Sequence, residues 1–146
     1  MKKGFTLIEL LVVISIIGIL VGLSLFGIEK TRGSSRDARR KADLEQIRSA
    51  LEIYRSDCGR YPLSLSSPLK GTKTTSPCST SDTYIDPLPV DPLDSERKYL
   101  YKMLTTTSYE VCAALEQGSG SVTCGGSSSC KNGTEAVTCN YKVINP

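Results

Sequence analysis

The sequence contains no histidine. That removes the side chain most often used as a general base near neutral pH. It also has no nucleophile motif and no phosphate-binding glycine loop, and no partner for a catalytic cysteine stands out. Enzymatic chemistry is therefore the least expected function. Without histidine, zinc would need an all-cysteine site, yet no C-x2-C pair occurs to begin one. Neither charge sign dominates: the net charge is +3, and removing Lys2 and Lys3 leaves +1. Strong attraction to nucleic acid does not follow from net charge. No internal repeat is present, and no metal or cofactor is expected.

What is present is unevenly placed. The 146 residues suit one modest domain without a second independent core. All six cysteines, Cys58, Cys78, Cys112, Cys124, Cys130 and Cys139, follow Asp57. An even number in a Ser/Thr/Gly-rich region points to disulfides and an oxidising compartment. Six cysteines allow about fifteen complete pairings. Cys124 with Cys130 would close a small ring and Cys58 with Cys78 a larger one, but the connectivity stays open.

Phe5 to Ile28 (FTLIELLVVISIIGILVGLSLFGI) holds a single charge, Glu9. As a helix rising ~1.5 Å per residue it would be about 36 Å long, enough for a hydrocarbon core of about 30 Å. A cleavable signal peptide would have a shorter apolar core followed by an A-x-A site, so a retained membrane helix is the better reading. From Ser34 to about Ser56, Leu44, Ile47, Leu51 and Tyr54 recur at helical spacing, with Ala38 and Ala42 upstream. Ala50 and Ile53 broaden the stripe, as suits packing on a sheet, and Asp37 with Lys41 makes an i,i+4 pair. No proline separates the two segments, so one long helix is expected from about Thr6 to Ser56, ending at Cys58-Gly59 with Pro62 beyond. Tyr61 to Pro92 reads as a long loop. Strands are expected at Lys98–Leu104, Tyr109–Leu115 and Glu135–Ile144. The expected class is α+β: a long N-terminal helix, membrane-spanning then amphipathic, its second half on a small antiparallel sheet. The boundaries are 1–4 for a leader, 5–28 for the apolar helix, 29–57 for the amphipathic helix and 58–146 for the loop and sheet.

The start of the chain carries the most specific signal: Lys2-Lys3-Gly4, then Phe5-Thr6-Leu7-Ile8-Glu9, running directly into the apolar helix. This closely resembles the signal of type IV prepilins and type II secretion pseudopilins. The resemblance implies a prepilin peptidase cut between Gly4 and Phe5, methylation of Phe5, and pairing of Glu9 with the N-terminal amine of a neighbouring subunit. Physical chemistry agrees with each part. Lysines favour the cytoplasmic face. A glycine lets a peptidase approach the backbone. An intramembrane carboxylate is costly and is usually functional and paired, although one that snorkels or is protonated is the bland alternative. The new amine at Phe5 is placed four residues before Glu9, on the same helix face. Gly18 and Gly22 form G-x-x-x-G, which permits close helix approach. Many family members have proline where this chain has Phe26.

Lys30, Arg32, Arg36, Arg39, Arg40 and Lys41 outnumber the leader lysines, so a simple count of positive charges would put the C-terminus in the cytoplasm. The cysteines and the leader argue for the opposite topology. A solvated helix face is the expected role of these charges, with phospholipid or DNA contact the livelier option. Tyr61-Pro62 and Leu88-Pro89-Val90-Asp91-Pro92 resemble major pseudopilins, with Asp91-Pro92 starting a turn. The resemblance is strong to about Pro62, moderate to Pro92 and essentially absent beyond. Those proteins often end in an acidic calcium loop, whereas 118–132 contains no Asp or Glu. Calcium needs about six to eight oxygen ligands, so this stretch is a poor candidate.

The leading reading is a structural subunit of a type IV pilus-like filament, with the major pseudopilin of a type II secretion system as the runner-up. A non-polymerising single-pass anchored binding module is the alternative of another class. Implied partners are further copies of the chain, other pilins, prepilin peptidase, an inner-membrane assembly platform and, before assembly, membrane lipid. The implied location is the inner membrane with the C-terminal domain outside, then a periplasmic or surface filament.

Overall fold

A computed structural model describes residues 4–145. Helix α1 spans Leu7–Cys58, and five strands follow: β1 Leu69–Lys70, β2 Thr83–Ile85, β3 Leu100–Thr105, β4 Ser108–Ala113 and β5 Tyr141–Ile144. The chain forms two compact units, one up to Ser35 and one from Arg36 onward.

In the first unit the described side chains of α1 are exposed, with Leu7 at 82% and Val12 at 49%. The helix is long and apolar enough to cross a membrane. An all-round apolar helix with no burial of its own needs lipid or other helices as its solvent.

The second unit is α+β. Strands β1 and β2 pair antiparallel, and β3, β4 and β5 form a separate antiparallel sheet in the order β3-β4-β5. The register sets Tyr101 opposite Val111 and Val111 opposite Val143. Because strand side chains alternate, Tyr109, Val111 and Ala113 share one face of β4. They pack with Leu44, Ile47, Leu51 and Tyr54 of α1 and with Val143 in one core. Each fully buried Leu or Ile contributes roughly 1.5–3 kcal/mol of transfer free energy. Ala38, Ala42 and Ile53 are exposed instead, so the buried stripe of α1 is narrower than the sequence suggests.

Tyrosine hydroxyls join the sheet and loops to acidic positions on the helix. Tyr99 donates to Asp43 at 2.7 Å, Tyr61 and Tyr109 to Glu52 at 2.9 and 3.2 Å, and Tyr84 to Asp57 at 3.2 Å. Each ring thus buries its apolar body and still satisfies its hydroxyl. Burial, reinforced by Asp43, raises the Tyr99 hydroxyl above the ordinary tyrosine range.

On the opposite face of β4, Cys112 packs with Ala114, just past the strand, and with Cys124, Cys130 and Cys139 in a second, smaller core. Disulfides join Cys58 to Cys78, Cys112 to Cys124 and Cys130 to Cys139. The large ring closed by Cys58 and Cys78 is as envisaged from the sequence. The small Cys124–Cys130 ring does not form, because Cys124 is drawn to the sheet by Cys112. The third strand also starts later than Glu135: Cys130 N donates to Val137 O and Cys139 N to Ser128 O, which draws 137–139 into the loop. Only Tyr141–Ile144 remains to pair with β4.

α1 ends where expected. Gly59 has φ +77°, and its N–H donates to Arg55 O at 2.8 Å. Such a left-handed residue closes a helix with little cost only when it is glycine.

Candidate functional site: the helix start and the charged joint of the head

The leader residues Met1, Lys2 and Lys3 lie outside the described residues. Gly4 and Phe5 precede the helix, and Phe5 is 85% exposed. A Cβ built on Gly4 meets nothing within 4 Å. Both flanks of the expected cleavage bond are therefore open to an enzyme.

Thr6 is the N-cap of α1, and Glu9 stands three residues later. Thr6 N and Oγ1 donate to Glu9 Oε2 at 2.9 and 2.6 Å, while Glu9 N donates to Thr6 Oγ1 at 3.3 Å. This is a reciprocal capping box, which satisfies two otherwise orphaned N–H groups. The local sequence dictates it: a threonine, two apolar residues and a glutamate. Phe5 consequently lies outside the helix and shares no helical face with Glu9, contrary to the sequence expectation. The Thr6-x-x-Glu9 spacing is itself the sequence signal for this cap. Gly18 and Gly22 lie one turn apart on α1, with open space at both Cβ positions. Close approach by another helix is thus sterically free at both.

Elsewhere the head contains a buried ionic joint that the sequence did not disclose. Arg40 is fully buried. Its Nε and Nη2 donate to Asp91 Oδ2 and Oδ1 at 2.8 and 2.9 Å, and its Nη1 to Asp37 Oδ1 and Glu116 Oε1, each at 2.8 Å. Arg36 makes a second two-pronged contact with Glu116. Asp37 also accepts the backbone N–H groups of Glu116 and Gln117 at 2.8 Å. Burial opposes the Arg40 charge, but hydrogen bonds to Asp91, Glu116 and Asp37 outweigh it and raise the pKa above its ordinary value. The Arg36 hydrogen bond, helped by Arg40 against partial burial, holds the Glu116 carboxyl down at about 2.

This joint corrects two sequence expectations. Asp37 pairs with Arg40 rather than Lys41, whose ammonium sits 5.6 Å over the Tyr141 ring. Arg36 and Arg40 are not part of a solvated basic face; Arg32, Arg39 and Lys41 are exposed. The joint also explains the Leu88–Pro92 segment. Asp91 turns the chain by accepting Leu93 N at 2.8 Å, as its place before Pro92 suggests, and simultaneously clamps Arg40. Among the described residues no cluster of three or more potential ligands is arranged to hold a metal ion.

An apolar helix opened by a capping box at a prepilin-type start, followed by an α+β head, defines the class of pilin-like filament subunits. The profile of the prokaryotic N-terminal methylation motif matches residues 1–25, and that of type II secretion system protein G matches residues 28–126. The chain belongs to the type II secretion system protein G family.

The match extends to residue 126, well past Pro92, and so covers a stretch in which the sequence motifs alone show no resemblance. Type II secretion system core protein G of Pseudomonas aeruginosa is 33% identical over 104 residues, covering 68% of this chain and 73% of that protein. Its counterpart in Pectobacterium carotovorum is 31% identical over 105 residues, covering 68% and 67%. Type IV major pilin protein PilA of Myxococcus xanthus is 36% identical over 60 residues, covering 41% of this chain and 27% of the pilin. No solved structure matches. These relatives carry the names of structural subunits rather than enzymes. Family membership implies processing by prepilin peptidase, membrane anchoring and self-assembly into a filament.

Proposed function

We propose that this chain is the major pseudopilin of a type II secretion system. The supporting observation is the protein G match, which takes in most of the head and not only the N-terminal segment that pilins share. The lack of acidic residues in 118–132 favours the alternative, a type IV pilus. That absence carries less weight once disulfides tie this stretch to the sheet and to the loop beyond it.

In the proposed cycle, cleavage after Gly4 frees an amine at Phe5. In the isolated subunit Glu9 is satisfied by its own Thr6. On assembly it exchanges part of this capping contact for the amine of a neighbouring subunit, while Gly18 and Gly22 admit helices at close range. A cation gained by a carboxylate in apolar surroundings is a strong reward, because an intramembrane acid is otherwise costly. The charged partner groups and the small-residue face then act together in the filament core, with the head outside the membrane.

Two measurements test this. Deleting the gene should abolish export of folded proteins through the secretion system, and Glu9→Ala should leave membrane insertion intact while blocking assembly. Export at the parental level after deletion, with loss of surface fibres, would return the assignment to a type IV pilus. Normal filament yield from Glu9→Ala would overturn the pairing mechanism. Intact mass of the native protein should show loss of Met1–Gly4 plus one methyl group.

A further inference from the structure

Two clefts flank the Leu63–Ser64 ridge of the head. The larger, about 420 Å³, brings Lys98 and Lys102 together with Asp91 and Asp94, so its charges offset one another. The smaller, about 280 Å³, differs in kind. Its only charged residues are Arg60 and Lys70, and Ser64, Ser66, Thr72 and Tyr54 add hydroxyls. Leu63, 75% exposed, supplies the accessible apolar edge, while Pro62 and Leu69 are buried beneath the cleft.

The two cations are available. Arg60 and Lys70 are exposed, and neither enters an ion pair among the described residues. Arg60 is directed here because Gly59 ends α1 in a left-handed conformation. A cation after the last helical turn also suits the negative end of the helix dipole, but that accounts for Arg60 alone. It does not explain why Lys70, thirteen residues from the start of β2 and on a different element, lines the same cleft with no carboxylate beside it. The hydroxyls are only partly committed. Tyr54 and Thr72 touch at 3.5 Å, and Ser66 donates to Pro68 O at 2.9 Å, leaving its oxygen free to accept.

From this arrangement we infer that the cleft binds a small anionic sugar unit, a phosphorylated or carboxylated monosaccharide. Arg60 and Lys70 hold the oxyanion by charge-assisted hydrogen bonds. The exposed hydroxyls of Ser64, Ser66 and Thr72 exchange hydrogen bonds with the sugar, and the exposed Leu63 side chain receives its C–H face. The volume suits one ring and excludes an extended chain lying wholly inside. Inorganic phosphate satisfies only the cations, and a neutral sugar only the remainder, so both bind more weakly than the combined ligand.

The test is calorimetric titration of the full-length chain in detergent micelles with glucose 6-phosphate, glucuronate, glucose and inorganic phosphate. Saturable binding of glucose 6-phosphate or glucuronate is expected, weakened by added salt. Arg60→Gln and Lys70→Gln should each weaken it about tenfold, as loss of one charged contact does. Lys98→Gln, in the neighbouring cleft, should leave it unchanged and serves as the control for surface charge. Binding of glucose 6-phosphate with glucuronate silent assigns a phosphate, and the reverse assigns a carboxylate; either supports the site. No saturable binding of either ligand overturns the inference, as does equal binding by the Arg60→Gln/Lys70→Gln double variant. Inorganic phosphate binding as tightly as glucose 6-phosphate would remove the sugar from it.

Discussion

The two faces of the β3-β4-β5 sheet are covered by different means. The inner face meets α1 through Tyr109, Val111, Ala113 and Val143, within a core that includes Leu44, Ile47, Leu51 and Tyr54. The outer face meets a Gly/Ser-rich loop, and the fully enclosed residues there are Ala114 and four half-cystines. Burial of large side chains stabilises the first without help. The second has little apolar area to remove from water, and covalent links compensate, as they do in small secreted domains. Adjacent residues of one strand therefore belong to different stabilising regimes: Val111 to packing, Cys112 to cross-linking.

The largest expected effect comes from the inner face. Leu51 is fully buried, so Leu51→Ala removes its transfer free energy and leaves a cavity, costing about 2–5 kcal/mol. The loss should be global. Urea unfolding followed by tyrosine fluorescence and by backbone circular dichroism should show both transitions moving together. If the two transitions separated, or neither moved, the inner face would not be the main support of the head.

Reducing the outer face to its packing gives a smaller and more local effect. Cys112→Ser with Cys124→Ser opens a link across a sequence separation of 12 and removes about 3 kcal/mol on the chain-entropy model. Hydrogen exchange should accelerate through 114–130, while β4 amides bonded to β3 and β5 stay protected. Equal acceleration on α1 positions 44–54 would show that the two faces form one cooperative unit, and the contrast between them would fail.

This contrast also separates what could be read in the sequence from what could not. α1 was legible because its signals are local: periodic Leu44, Ile47, Leu51 and Tyr54, a glycine at its end, and a proline soon after. β3 and β4 were legible from apolar runs on either side of a threonine turn, although β4 stops at Ala113 rather than Leu115. β1 and β2 are two and three residues long, too short to impose a pattern on a Ser/Pro-rich loop. Glu135–Asn140 has strand-like composition but is held by the cystine loop. At the candidate site, Gly4, Phe5 and Glu9 were visible as a compact motif. Arg40 was not, because its burial depends on carboxylates 51 and 76 positions away. Charge on a helix reads as surface unless its distant partners are known.

The joint formed by those partners lies where β4 leaves the inner core for the outer loop, so acid should probe the coupling between the two faces. Glu116 titrates at about 2 in the folded head, against roughly 4.3 in an unfolded chain. A carboxyl with a depressed folded pKa stabilises fully above its unfolded value, and that contribution is lost as pH falls toward the folded one. Arg36 and Arg40 stay protonated throughout, so the change belongs to the carboxyl side of the joint. Melting temperature should therefore be insensitive to this group from pH 7 to 5 and fall below about 4.3. Glu110, whose pKa is lowered by Lys142 and by Gly125 N–H, acts in the same direction and remains in the variant. Glu116→Gln should start lower at pH 7, because Arg36 loses its carboxylate, and then lose less than the parent across the acid window. Parallel melting curves from pH 5 to 2 would place the acid sensitivity outside the joint and leave the two faces coupled by the backbone of β4 alone.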